Sequence, residues 1–218
     1  CQSFSSNEAI RAGKVGLLPV DFTWNSYLYV LQRAPFWKAF GITIVRVVLG
    51  LPLNLFMIIT AAYPLSKDNH KFKARSIYVW IFFLTMLFNG GMIPTYLLVN
   101  NLHMTDTVWS LILPGCINVF NMLLVLSFFR QLPDELEEAA AIDGAGHWRI
   151  LWKIFVPISL PVIATVTLFT LVQHWNSWFD GMIYMKTENY PLQTYLRSII
   201  INFNFTNLSP EEQKRLSQ

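Results

Sequence analysis

Asn89, Asn118, Asn121, Gln173, Trp175 and Asn176 are polar side chains set inside or at the ends of long apolar stretches, with Trp178 close behind. Amides and indoles in such surroundings exchange hydrogen bonds and offer flat ring faces; they do not break covalent bonds. Within a bilayer, polar groups of this kind face the bundle interior or a water-filled cavity, or they bond helix to helix at about 0.6 kcal/mol each. The groups that covalent chemistry needs are dispersed. His70, His103, His147 and His174 have no metal-ligand spacing, and Cys1 and Cys116 form neither a disulfide framework nor a metal site. Cys116 lies in an apolar run, where a thiol acts as a small hydrophobe. The core of each apolar run lacks Asp and Glu, Asp180 being the nearest, so a proton relay has no members. A phosphate-binding Gly-x-x-x-x-Gly-Lys-Ser/Thr loop is missing too: Gly13-Lys14 is followed by Val15. We expect no catalytic residue, no metal and no cofactor in this chain, which is read as a non-enzyme.

The stretch Gln131 to Arg149 suggests contact chemistry instead. Pro133 can open a helix, and Asp134, Glu135, Glu137 and Glu138 crowd its first turns, where the macrodipole favours acids. Leu136, Ala139, Ala140 and Asp143 follow at helical spacing, which predicts a short amphipathic helix with small residues on one side. Gly144 and Gly146 end it. A compact helix of this kind, pinned between apolar segments, reads either as an ordinary capped loop helix or as a peg able to fill a groove in another protein.

The elements that must position these residues are apolar runs of spanning length, about 20 residues each. They are Phe40 to Leu65 with the single charge Arg46, Ile77 to Leu98 broken by Asn89-Gly90-Gly91 and Pro94, Val108 to Phe129, and Ile154 to Trp175–Phe179. Arg46 lies about 9 Å inside Phe40 at 1.5 Å per residue, close enough to snorkel outward. Gly90-Gly91 is read as a site of close helix packing. Prolines 52, 94, 114 and 161 sit in or near the runs, where neighbouring helices can satisfy freed backbone groups.

Composition agrees. Of 218 residues, 54% are hydrophobic and 13% charged, against roughly 45–50% and 25% in soluble domains. The net charge of +3 is spread out and gives no nucleic-acid footprint. Basic residues favour the cytoplasmic side in short loops. Lys67, Lys71, Lys73 and Arg75 crowd one connection, while Asn100–Thr107 has no Lys or Arg. Arg130, Arg149 and Lys153 flank the last long connection. The reading is therefore all-α, a polytopic transmembrane bundle of about four spans. Residues 1–39 are an extracytoplasmic segment, 40–180 the membrane domain with a cytoplasmic loop at 130–153, and 181–218 an outer tail ending in Glu211-Glu212-Gln213-Lys214-Arg215.

That loop resembles a known family. Glu138-Ala139-Ala140, three residues, Gly144, nine residues and Ile154-x-Val156-Pro157 is similar to the EAA loop of ABC-importer permeases, with Val156 in place of Leu. The stretches Asn89 to Tyr96, Phe128 to Pro133, Trp175-Asn176 and Tyr190 to Leu196 resemble the carbohydrate-uptake branch associated with complex oligosaccharides. The resemblance implies a subunit of six spans in the inner membrane, of which this chain holds about four. It implies a second permease subunit, two cytoplasmic ATPase subunits that carry ATP and Mg, and an extracytoplasmic binding protein that delivers a sugar or oligosaccharide. Glu138, Ala139, Ala140, Asp143 and Gly144 would form the ATPase-coupling helix. Asn89, Asn118, Asn121, Gln173, Trp175 and Asn176 would be pathway residues, since sugars present hydroxyls around apolar C–H patches. The other readings are a permease for peptides or amino acids, and, further off, a secondary transporter.

Overall fold

The computed structural model describes residues 16, 22, 24, 31–68, 70–88 and 90–206, with side chains to 201. Asn89, the first thirty residues apart from the three named, and the acidic-basic end at 211–215 lie outside the described residues. The elements in order are α1 (Ala34–Ser66), α2 (Arg75–Leu87), α3 (Met92–Asn101), α4 (Val108–Ile112), a 3-10 turn (Leu113–Gly115), α5 (Val119–Phe129), α6 (Asp134–Ile142) and α7 (His147–Ile150). A π-helical stretch (Leu151–Phe155), α8 (Val156–Ile158), α9 (Leu160–Asn176), α10 (Phe179–Tyr184), a 3-10 turn (Thr187–Asn189) and α11 (Leu192–Thr206) complete it.

Helix α1 is the spine. Its 33 residues make a rod about 50 Å long, some 20 Å beyond the hydrocarbon core of a bilayer. It begins at Ala34, six residues before the expected Phe40, because Pro35 sits in its first turn, where a missing N–H costs nothing. Pro52 and Pro64 lie inside it, yet it stays one element. It packs along α5 and α9, and its N-terminal half meets α11 and α4. Ile58, Ile59, Ala62, Tyr63 and Leu65 of α1 meet Met122, Val125, Leu126 and Phe129 of α5, with Val166 of α9 closing the core.

Among the described residues, only α1 is long and apolar enough to cross a membrane as one helix; counting each bent pair as one span raises the number to four. The other spans break where the sequence places Gly, Pro or Ser. Gly91 stands at φ +90°, where an added Cβ would meet nothing closer than Pro94 Cδ at 4.0 Å, and at Gly90 it would meet nothing within 4 Å. The pair is thus a turn that exploits glycine's freedom at positive φ, not the close packing expected from sequence. Val108–Gly115 and Val119–Phe129 meet at 50°, and His147–Ile158 and Leu160–Asn176 at 84°. The fourth apolar run is therefore an elbow at Ser159, and its spanning arm starts at Leu160 rather than Ile154.

Apolar side chains are exposed in number on the bundle surface. Helix α2 buries none of its residues: Trp80 and Leu87 on it, and Phe88 just past its end, are exposed. The start of α11 is fastened to α1: the Leu192 backbone N–H donates to Thr43 Oγ1 at 2.9 Å, and Thr43 is buried.

Candidate coupling surface and buried polar cluster

The loop helix α6 is held from one side. Glu137 is buried and its carboxylate accepts from Lys67 Nζ and Lys71 Nζ, both at 3.1 Å. The Lys67 ammonium also lies over the rings of Tyr63 and Phe155, at 4.0 and 4.1 Å from their centroids, a cation–π cage of the sort worth about 2 kcal/mol when desolvated. Burial pushes the Glu137 carboxyl up, but its two lysine hydrogen bonds and their charges outweigh this and hold it below the ordinary value. The hydrogen bond to Glu137 raises Lys71 against a small burial cost. Lys67 goes the other way: burial pulls it below the usual lysine value, more than Glu137 restores.

Ala140 is buried in the same core. Its small size is set by packing within this chain, so Ala139 and Ala140 do not share a face, in contrast to the single small-residue side read from sequence. The outward surface carries Glu138, Ala139, Ile142, Asp143 and Gly144, with Ile142 88% exposed. Asp143 is the C-cap residue, and Gly144 follows at φ +77° with its N–H bonded to Ala141 O at 3.0 Å. That isoleucine stands beside acids and small residues on a helix anchored to the bundle through Glu137 and Ala140. A cavity of about 610 Å³ opens behind it, lined among others by Tyr63, Lys67, Lys71, Glu137, His147 and Trp148.

The expected pathway residues divide. Asn118 caps α5: its Oδ1 accepts from the Asn121 N–H at 3.1 Å, and its Nδ2 donates to Gln173 Oε1 at 3.3 Å. Asn121 is buried and donates to Thr170 Oγ1 at 3.4 Å. These four residues therefore form one polar seam between α5 and α9, with Gln173 exposed at its edge. Trp175 packs edge-on against Phe40 at 6.3 Å, and Asn176 is exposed at the end of α9. Asn89 lies outside the described residues.

A second cluster was not visible in the sequence. Arg46 is 3% exposed and faces inward, so it does not snorkel. Its Nε donates to His174 Nδ1 at 3.2 Å, its Nη2 donates to Leu111 O at 3.2 Å, and the same Nη2 pairs with Asp180 Oδ2. A guanidinium only donates, so Nδ1 is the acceptor and the His174 proton sits on Nε2. That N–H then points at Asn54 Oδ1 at 3.1 Å, which leaves the Asn54 amide nitrogen donating to Gly50 O at 3.1 Å and Cys116 O at 3.3 Å. Gly50 is needed for space, since a Cβ there would stand 2.9 Å from the imidazole. One charged chain thus ties α1 to α4, α9 and α10. The sequence signals were Arg46 in one apolar run and Asp180 at the edge of another; His174 and Asp180 lie 128 and 134 residues from Arg46.

A bundle with broken apolar spans, an inward polar cluster and a tethered loop helix defines a polytopic transport permease. The chain belongs to the family of binding-protein-dependent transport system inner membrane components, whose sequence profile matches residues 36–209. It is 40% identical over 205 residues to Protein LplC of Bacillus subtilis (strain 168), spanning 94% of this chain and 69% of LplC. It is 36% identical over 200 residues to the polygalacturonan/rhamnogalacturonan transport system permease protein YtcP of the same organism, covering 91% and 69%. A solved structure of a bacterial ABC transporter involved in the import of the acidic polysaccharide alginate matches with TM-score 0.87 and 35% identity, over 98% of this chain and 75% of that one. The all-α ABC-permease fold is therefore that of this chain, and subunits of this family are not themselves enzymes.

Proposed function

We propose that the chain is one membrane subunit of an ATP-driven importer of sugars or oligosaccharides, coupled to a separate ATPase through α6. The observation that carries the coupling half is the division of that helix: Glu137 and Ala140 anchor it to the bundle, while Glu138, Ala139, Ile142 and Asp143 stand free for a partner. The absence of a phosphate-binding loop in the sequence fits ATP and Mg being held by that partner. The substrate half is supported by the likeness to a polygalacturonan/rhamnogalacturonan permease and an alginate importer. The other members of the assembly are a second permease subunit, two ATPase subunits and an extracytoplasmic binding protein. In the seam, Asn118 and Gln173 offer amides suited to sugar hydroxyls, with the Trp175 ring at its end.

Import is tested by reconstituting the full-length permease with its co-purified subunits and binding protein, and following labelled oligosaccharide against labelled peptide. ATP-dependent uptake of the oligosaccharide alone is expected. Uptake of peptide in its place moves the chain to another solute class; uptake driven by a proton gradient without ATP overturns the reading.

A further inference from the structure

We propose that the segment His147–Phe155 binds anionic phospholipid headgroups of the cytoplasmic leaflet, and so fixes the seat of the coupling helix that precedes it. The proposal rests on the coupling reading of α6 and on the cytoplasmic placement of the basic connections. Its geometry starts at the elbow: the arm His147–Ile158 runs 84° from α9, so when α9 crosses the bilayer this arm lies near the membrane plane. The arm is two-faced. Ile150, Leu151 and Phe155 are buried against the bundle, while Trp148, Arg149, Trp152 and Lys153 are exposed, Trp148 by 63% and Trp152 by 40%. Two indoles four apart beside two cations four apart are the residue types of an interfacial helix, rings at the acyl boundary and charges among headgroups.

Depth agrees with this placement. Trp152 stacks on Phe56 of α1, rings 6.2 Å apart and 11° from parallel. Phe56 is itself exposed, and it lies about 15 Å along the helix from Ser66. Since α1 exceeds the hydrocarbon thickness by about 20 Å, a centred α1 puts the Phe56–Trp152 stack just inside the cytoplasmic boundary.

Charge selects the occupant. From Gly144 to Phe179 the sequence contains no Asp or Glu, and neither Arg149 nor Lys153 has an acidic partner among the described residues. A protein groove built for α6 would meet acids on Glu138 and Asp143; the adjoining arm offers only cations, which suits phosphate-bearing anionic lipid.

The test uses the full-length permease with its co-purified subunits, extracted from membranes containing phosphatidylglycerol and from vesicles of phosphatidylcholine alone. Bound lipid is read by native mass spectrometry, and lipid affinity by titration with phosphatidylglycerol. Replacing Arg149→Gln and Lys153→Gln together is expected to weaken phosphatidylglycerol binding about thirtyfold, from about tenfold per 1.4 kcal/mol and about 1 kcal/mol per basic residue at an anionic surface. The charge-keeping pair Arg149→Lys and Lys153→Arg should retain it. A photo-crosslinker at Trp148 should capture lipid. Equal binding by the Gln double variant, loss of binding in the charge-keeping pair, or crosslinking to an ATPase or second permease in place of lipid overturns the proposal. Failure of the coupling reading shows separately, as wild-type permease that retains the anionic lipid yet recovers no ATPase.

Discussion

Arg46 in the N-terminal half of α1 and Asp180 at the start of α10 form an ion pair across 134 residues of sequence, with Arg46 almost wholly buried. Removing one member of such a pair strands the other charge, at a typical cost of about 3–5 kcal/mol. Asp180→Ala should therefore lower the thermal midpoint of the detergent-purified protein sharply, and Arg46→Met combined with Asp180→Leu should recover much of the loss. A single Asp180→Ala variant as stable as wild type would show that the pair is not closed in the membrane.

Two glycines of α1 make a matched comparison. Gly50→Ala drives a methyl to within 2.9 Å of the His174 ring, whereas a Cβ at Gly41 meets nothing within 4 Å. Overpacking costs about 1–3 kcal/mol, while Ala replaces Gly in an exposed helix at a gain of up to about 1 kcal/mol. Thermal unfolding should rank Gly41→Ala at or above wild type and Gly50→Ala below it. The reverse order would place His174 elsewhere.

In the loop helix, neighbouring glutamates should separate in their effects. Glu138→Ala changes only the outward surface and is expected to weaken ATPase co-purification with folding unchanged. Glu137→Ala strands Lys67 and should cost stability on the order of 3 kcal/mol, the low end for a buried pair because Lys71 stays half exposed. Gly144→Asp forces a side chain onto φ +77°, a strain of about 1–3 kcal/mol, and should also weaken docking. Normal ATPase recovery and normal substrate-stimulated hydrolysis in Glu138→Ala and Gly144→Asp would reduce α6 to a connector.

Acid should act through two carboxylates. The lysine contacts of Glu137 hold it below its usual range, and Asp106 is depressed by hydrogen bonds from Asn189 and the Lys186 backbone. A depressed carboxylate adds stability that is complete above its unfolded value, about 4.3 for Glu and 3.9 for Asp, and disappears as pH falls through the lower folded value. The contribution of these two carboxylates to the thermal midpoint should thus be flat above about pH 5 and fall below about pH 4. Asp106→Asn should flatten part of that fall; an unchanged acid limb in both Asp106→Asn and Glu137→Gln would assign it to other groups.

Sidedness follows from the basic loops. With Cys1 and Cys116 replaced, Lys73→Cys should resist a membrane-impermeant thiol reagent in intact cells, and Asn101→Cys should react. The opposite labelling would invert the bundle and remove the coupling argument with it.

What could be read before the fold was local. Apolar runs near 20 residues announced the spans, and the Glu138–Gly144–Pro157 spacing announced the loop, because both are properties of short windows. Pairings across the chain were not legible: nothing near Arg46 points to His174, and nothing in Glu137-Glu138 tells which acid turns inward until Lys67 and Lys71 are placed beside it. The tolerance expected of the prolines holds at one place and fails at another. Pro52 leaves α1 whole inside the bundle, whereas the Ser159-Leu160-Pro161 step coincides with a turn of 84°.

That turn has a mechanical meaning. Ser159 is fully buried at the corner, so the two arms share a fixed pivot, and the longer arm, α9, reaches about 25 Å for its 17 residues. The corner is a crank. A sideways push on the short arm, delivered by whatever docks on α6, would become a tilt of the long one, and a tilt of roughly 10° sweeps its far end by about 4 Å. Gln173 and His174 ride on that far end, so a stroke delivered at one membrane surface would arrive as a sideways displacement of amide and imidazole near the other.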